Sequence, residues 1–445
     1  MIGALSFGHL PAIFVPSGPM PSGISNKEKA KVREDFAQKK VDEKALFKVE
    51  TASYHSCGTC TFFGTANSNQ MLLEMMGLQL PNSSFVNTNT PLREALTKKA
   101  AKTLIKLCSE KISISDIVNE KSFVNAIVGL MATGGSTNHT IHLIAMAKAA
   151  GIVLTWEDFD DISKVIPLLC KMYPNGSADV NDFREAGGMS VVISQLLEKD
   201  LLHDDVQTVV GYGLDNFIKE PVLQNDEVIF TNGEKSSKNK EVISNISNPF
   251  SNEGGLKLLV GDLGKCVIKT SALKDEYLYI KAPAIVFNSQ EELQKEFVSG
   301  NLEKDFIAVV RYQGPKANGM PELHKLMPPL GVLQEKGFKV AIITDGRMSG
   351  ASGKVASAIH LYPEAIEGGI ISKIENGDII EMDIKSGVIK LFVDKEIMER
   401  REMKNIDLTK NRHGFGRELF SVIRENVSSS ESGATIFKLI GEENS

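Results

Sequence analysis

No uninterrupted apolar run of about 18 residues occurs in this sequence, so no membrane-spanning helix is expected. Cysteine is scarce, five in 445 residues, which excludes a disulfide framework. Only one Cys-x-x-Cys pair exists, and a structural zinc site usually draws its four ligands from two. No long basic run appears and the formal net charge is −6, which argues against a nucleic-acid partner. The opening residues carry no basic leader and are interrupted by Pro11 and Pro16, so they do not read as a signal peptide. No Gly-x-Ser-x-Gly elbow surrounds Ser349, and no internal repeat is visible. These absences leave a cytoplasmic, soluble protein that handles small molecules rather than membranes or nucleic acids. A phosphorylated ligand stays within reach, because a few local Lys and Arg side chains suffice for one phosphate.

Hydrophobic residues make up 42% of the chain and charged residues 24%, ordinary globular values with length enough for two or more domains. The densest chemistry lies in residues 50–70, where Cys57 and Cys60 stand three apart in a loop of small and hydroxyl residues. Apolar residues follow at helical spacing through Met71, Leu72, Met75 and Leu78. A thiol at the mouth of a helix meets the positive end of its dipole, which favours thiolate, a ligand for soft metals and iron–sulfur clusters. A dithiol redox couple, zinc binding and an inert buried thiol are the competing readings.

Residues 4–15 read as strand and turn, 26–38 as a charged helix, and 91–109 as a helix capped by Thr90 ahead of Pro91. Helices are also expected at 123–131 and 140–150, and an apolar helix from 165, a Tyr-Pro-Asn-Gly turn and a second helix from Gly188 complete the first part. Glycine- and serine-rich loops feeding helices, with short strands between, imply an α/β domain over 1–232. A polar linker is expected at 233–255. Short β-rich runs at 256–259, 266–269, 284–287, 307–310, 340–344, 379–382 and 391–393 then imply a β-barrel-like domain over 256–426, with a helix at 321–335 and Asn376-Gly377 as a hairpin turn. The Ser- and Glu-rich stretch 427–445 reads as a mobile tail.

Three loops carry candidate site residues. Thr133–His139 holds paired glycines and hydroxyls between two apolar helices, either an anion cradle containing Ser136 and Asn138 or a tight interhelical turn. Gly314–His324 follows a strand, where α/β sites usually sit; Lys316 can neutralise an anion, and Glu322 opens a helix either as a cap or as a ligand for a hard divalent metal. Ile343–Lys354 repeats that layout, with Arg347 as an anion clamp and Ser349 as a nucleophile or base if a cation lies close, otherwise a turn serine.

Together the blocks Gly8-His9-Leu10-Pro11, Val15–Met20, Gly58–Thr61, Gly64–Asn67, Gly134–His139, Gly314-Pro315-Lys316 and Asp345–Gly350 resemble the iron–sulfur dehydratases that act on dihydroxy acids and on phosphogluconate. Ser53-Tyr54-His55, Asn138-His139 and Pro315–Lys325 are most similar to the phosphogluconate branch. The resemblance implies a catalytic α/β domain followed by a swivelling β-barrel domain. It implies a hydro-lyase converting 6-phospho-D-gluconate to 2-dehydro-3-deoxy-6-phosphogluconate in the Entner–Doudoroff pathway, with other sugar-acid or dihydroxy-acid dehydration as the alternative. Carried over by matching position, Cys60 is a cluster ligand, Glu322 a magnesium ligand and Ser349 the proton-abstracting base; Lys316, Arg347, Ser136 and Asn138 are the candidate substrate clamp. Cys57 has no matching ligand role. A four-iron cluster is expected rather than a two-iron one, with Mg2+ and a homodimer. In the family further cluster cysteines precede the Gly-His-Leu-Pro block, so the chain as given is expected to be a truncated product, the downstream half of a split gene, or the result of a mis-set start.

Overall fold

The computed structural model describes residues 1–350, 352–404 and 406–438. The first half is helical. Its helices are α1 (Ile2–Leu5), α2 (Asn26–Ala37), α3 (Glu43–Ser53), α4 (Thr65–Met75), α5 (Pro91–Glu110), α6 (Ile114–Ile117), α7 (Glu120–Thr133), α8 (His139–Ala149), α9 (Trp156–Val165), α10 (Val180–Glu185) and α11 (Gly188–Glu198). Local chemistry sets their ends. The Thr90 hydroxyl accepts from the Arg93 amide at 3.2 Å, and Pro91 begins α5 where its missing N–H costs nothing. Thr155 and Asp158 close a capping box on α9. Both α4 and α7 bury residues around nearly their whole circumference and pack on each other at the centre of the first core.

Strands begin at residue 207. Two small hairpins, β1 (Gln207–Thr208) with β2 (Gly211–Tyr212) and β3 (Lys219–Gln224) with β4 (Glu227–Asn232), precede the barrel. The barrel strands are β5 (Leu256–Gly261), β6 (Gly264–Lys269), β7 (Tyr279–Phe287), β8 (Phe306–Val310), β9 (Val340–Thr344), β10 (Ala356–Tyr362), β11 (Ile379–Asp383) and β12 (Val388–Phe392). They close in the order β10-β6-β5-β12-β11-β7-β8-β9. β7, β8, β9 and β10 run parallel, and helices α12 (Gln290–Val298) and α14 (Met327–Glu335) cross over between them; the short α13 (Pro315–Asn318) lies in the loop after β8.

Alternation sorts the barrel residues into two cores. Cys266, Ile268, Ile307, Val309, Ala341, Ile343, Met382 and Ile389 fill the barrel interior. Their neighbours Val267, Phe306, Ala308, Val310, Val340 and Ile342 point outward into the cluster that also contains Met71, Met75, Leu130 and Met131 of the helical half. One continuous apolar cluster thus spans both halves, and burying each such side chain contributes about 1.5–3 kcal/mol.

Several expectations are corrected. Residues 4–15 form no strand; α1 ends at Leu5 and irregular chain follows. Residues 166–179 are irregular rather than helical, and every strand lies from residue 207 onward among the described residues. The 233–255 segment is not a free linker: Val242, Ile243 and Ser244 are buried, and Ile243 bridges Cys170. Asn376-Gly377 joins no hairpin, since β11 pairs with β7 and β12, and Asn376 instead accepts from the Val286 amide at 2.7 Å. Part of the tail is docked: the Ser430 hydroxyl donates to the His360 carbonyl at 2.8 Å, and Glu431 pairs with Lys265. Residues 439–445 lie outside the described residues.

Candidate active site

The Cys60 loop is held from two sides. Thr59 exchanges backbone hydrogen bonds with the 18–20 segment, Thr59 N to Gly18 O and Met20 N to Thr59 O, both 3.0 Å. That approach requires Gly58, whose φ is +121° and whose hypothetical Cβ would lie 2.5 Å from Met20 N. From the other side Asn67, in the first turn of α4, donates to the carbonyls of Cys60 at 2.6 Å and Phe62 at 2.7 Å and accepts from the Thr59 hydroxyl at 2.7 Å. Cys60 is half-buried and lines a pocket with Lys29, Arg33, Tyr54, Thr61 and Phe62, while Cys57 is exposed. Lys29 is buried, donates to the Thr61 hydroxyl at 3.2 Å and lies 5.2 Å from the Phe62 ring centroid.

The thiol does not sit at a helix mouth, because α4 begins at Thr65 with Gly64 as its cap. Burial raises the Cys60 pKa, against which a backbone hydrogen bond from Phe62 and the Lys29 charge pull down. Left to these residues alone, the thiol form is favoured, the reverse of the dipole argument.

Ser349 lies beyond the carboxyl end of β9, and the Gly314–Glu322 loop beyond that of β8, as expected for a parallel sheet. Buried Asp345 ties these loop roots together, accepting from the amides of Gln313 at 2.8 Å, Ala365 at 2.9 Å and Tyr312 at 3.0 Å. Burial pushes its carboxyl up to about 6, with the three amides pulling back. Buried Glu364 likewise accepts from the amides of Lys316 at 3.0 Å and Ala317 at 3.3 Å, and burial pushes it up to about 7.

The two halves meet at Gly350. A Cβ there would lie 2.6 Å from the Thr65 hydroxyl and 2.7 Å from its amide, and would also strike the Ser136 hydroxyl. Thr65 and Ser136 share a hydrogen bond of 2.9 Å; Asn138 donates to the Thr65 hydroxyl at 3.0 Å and to the Met348 carbonyl at 3.2 Å. The Cys60 loop, the N-terminus of α4, the 134–139 loop and the Ser349 loop therefore converge.

The sequence-derived residues separate in this frame. Ser349 lines a small pocket with Thr137, Lys269, Met348, Ser352, Gly353, Val355, Ser357 and Ile359. Ser136 and Asn138 are fully buried, and their side chains link the two halves through Thr65 and the Met348 carbonyl. The Lys316 ammonium pairs with Glu367. Arg347 donates to the Met320 carbonyl at 2.8 Å and stands 4.0 Å from Glu322, leaving part of its fork for an anion. Glu322 does not open a helix; it forms a bridge with Arg347 and its carboxylate is accessible, as a metal ligand requires. Lys29, Arg33 and Lys269 were not singled out from the sequence. Lys29 and Arg33 sit one turn apart in an otherwise charged helix and resemble ordinary surface residues, whereas Lys269 interrupts an apolar strand period, a signal that was there to read.

Among the described residues no three His, Cys, Asp or Glu side chains stand together as a ligand set. A single thiol such as Cys60 cannot hold an iron–sulfur cluster by itself, and the described residues alone do not make such a site. Buried His360, pushed down to about 3 by burial, and buried His139, lowered by the same cause, stay neutral and do not supply a cation.

Residues 1–217 match the family model for the dihydroxy-acid/6-phosphogluconate dehydratase N-terminal region, and residues 241–434 that for its C-terminal region. The chain is similar to the phosphogluconate dehydratase of Escherichia coli K12, 54% identical over 437 residues, covering 98% of this chain and 72% of the relative. It is 51% identical over 448 residues to that of Helicobacter pylori J99, covering 98% and 73%. The dihydroxy-acid dehydratase of Caldanaerobacter subterraneus is 37% identical over 411 residues, covering 90% of this chain and 71% of the relative. With both family models matched in order over most of its length, this chain belongs to the dihydroxy-acid/6-phosphogluconate dehydratase family.

Proposed function

We propose that the chain is a hydro-lyase of the Entner–Doudoroff pathway, converting 6-phospho-D-gluconate to 2-dehydro-3-deoxy-6-phosphogluconate. The observation that carries this reading is the convergence of the Ser349 loop on Thr65 and Ser136, in a chain 54% identical to a phosphogluconate dehydratase. The product's structure fixes the bonds involved: a proton leaves C2 and hydroxide leaves C3. Ser349, as its alkoxide, takes the C2 proton; the electron pair moves onto C2 and the carboxylate and then expels the C3 hydroxyl. Arg347 is positioned for an anionic end of the substrate, and Lys29 with Arg33 forms a second basic pocket beside Cys60.

Enzymes of this family are iron–sulfur-dependent. The finer cofactor reading is a four-iron cluster with Cys60 as one ligand, its other ligands not being supplied by the described residues, and Mg2+ at Glu322. No helix among the described residues is long and apolar enough to cross a membrane. A cytoplasmic location goes with a multiply charged substrate that does not cross lipid, and the family resemblance implies a homodimer.

The test is turnover by the anaerobically purified chain, assayed with its iron and sulfide content. A 2-keto acid should form from 6-phospho-D-gluconate, with little from D-gluconate or a branched 2,3-dihydroxy acid. Preference for an unphosphorylated acid would move the assignment to the other branch of the family.

A further inference from the structure

Lys269 ends β6 on its outward face, two residues after Val267, where alternation calls for an apolar side chain against the helical half. It is 6% exposed, and its ammonium has no hydrogen-bond partner among the described residues. Other lysines in this region are engaged. Lys265 pairs with Glu157 and Glu431, Lys316 with Glu367, and Lys29 with Thr61. The Lys269 stem runs past Gly353, whose hypothetical Cβ would lie 3.3 Å from its Cδ, and so follows the Ser349 loop. Its pocket is narrow, with room for about one water, is partly open at its mouth, and is lined by the hydroxyl residues Thr137, Ser349, Ser352 and Ser357 with no acidic side chain.

A buried ammonium without a counter-ion is costly, and none of its neighbours offsets that cost. A ligand anion is the missing partner. We propose that Lys269 is the anchor for the substrate carboxylate, holding it beside Ser349. This rests on the function proposed above and extends it to a residue with no role assigned there. The choice of carboxylate over phosphate follows from connectivity. The proton that Ser349 removes sits on C2, one bond from the carboxylate carbon and four carbons from C6, which bears the phosphate. An ammonium on that carboxylate is also placed where negative charge grows as the C2–H bond breaks, so it serves the transition state more than the ground state. Burial lowers the Lys269 pKa to about 7, and the arriving carboxylate raises it again, so the charge is strongest when substrate is bound.

The experiment uses the full chain loaded with iron and sulfide and two half-ligands, D-gluconate (carboxylate, no phosphate) and D-glucitol 6-phosphate (phosphate, no carboxylate). In Lys269→Met the dissociation constant for D-gluconate should rise by about tenfold or more, the loss expected of a charge-assisted hydrogen bond, while that for D-glucitol 6-phosphate stays within about twofold. Turnover of 6-phospho-D-gluconate should lose kcat as well as affinity. A second measurement needs no variant: D-gluconate should shield Lys269 of the wild-type chain from reductive methylation, read by peptide mass spectrometry, and D-glucitol 6-phosphate should not. Unchanged D-gluconate binding in Lys269→Met, or shielding by the phosphate alone, overturns the carboxylate anchor while leaving the enzyme's function intact. A wild-type chain that forms no 2-keto acid from 6-phospho-D-gluconate brings down the function and the anchor together.

Discussion

Lys269 gives up stability where it stands. Burial alone lowers its pKa from 10.5 to about 7, so between those values the unfolded chain holds more protons than the folded one. Stability therefore rises with pH across that window, and the gain is complete only above 10.5. Lys269→Met removes the penalty and should be more stable than wild type at pH 7, by about 1–4 kcal/mol as for other buried charges replaced by apolar groups. In calorimetric melts the gap between variant and wild type should narrow as pH is raised from 7 to 9. A gap that does not depend on pH would mean that the folded amine keeps its proton and is therefore paired. Gly350 gives the opposite kind of prediction. Its missing side chain permits the approach to Thr65, so Gly350→Ala must push the Ser349 loop away from α4. A shift of the order of 1 Å at a reacting group costs about a hundredfold in rate, so kcat should fall by that order with a small change in melting temperature. Retention of wild-type kcat would show that Ser349 does not act from this loop position.

Among elements, α4 joins the thiol to the rest of the site. Asn67 in its first turn makes three side-chain hydrogen bonds to the Cys60 loop. Asn67→Ala strands the buried carbonyl groups it serves and should cost at least about 1–3 kcal/mol. In the metal-free chain, Cys60 should also react faster with a thiol reagent such as a disulfide dye; an unchanged rate would mean that the 18–20 segment holds the loop unaided. The barrel was largely legible in the sequence because its strands carry short apolar runs, and 340–344 was read with the bounds the structure gives it. β10 escaped because Ala356–Tyr362 mixes small residues with His360 and follows a glycine-rich loop, a pattern closer to turn than strand. The helical half misled for a physical reason. Apolar stretches such as Ile166–Met172 are buried by tertiary contacts and bridges to the 243–251 segment, so hydrophobicity there reported depth rather than helix. Of the site, the loops were legible from their glycines, but partners 200 residues apart were not. Asn138 donates to Thr65 and to the Met348 carbonyl, contacts that no local pattern announces.

For the whole molecule, the decisive feature is that the barrel's outward face and the helical half share one apolar cluster. Ile342 and Val310 on the barrel belong to the same buried set as Met71, Leu130 and Met131 on the helices. Separating the halves would expose that surface to water, and the bond from Asn138 to the Met348 carbonyl would be lost with it. A swivelling barrel domain, implied by family resemblance, is then held here by an apolar contact rather than hung on a free linker, since 242–244 is itself buried. The expected consequence is one cooperative transition. Ile342→Ala, which removes a fully buried side chain from the shared face, should lower stability by about 2–5 kcal/mol and shift the entire unfolding curve. Far-ultraviolet circular dichroism, dominated by the helices, and calorimetry should then report the same midpoint for wild type and variant alike. If calorimetry instead resolves two transitions and Ile342→Ala moves only the one that leaves the helical signal unchanged, the barrel folds apart from the helices. The Ser349 loop would then be free to leave Thr65 without unfolding either half.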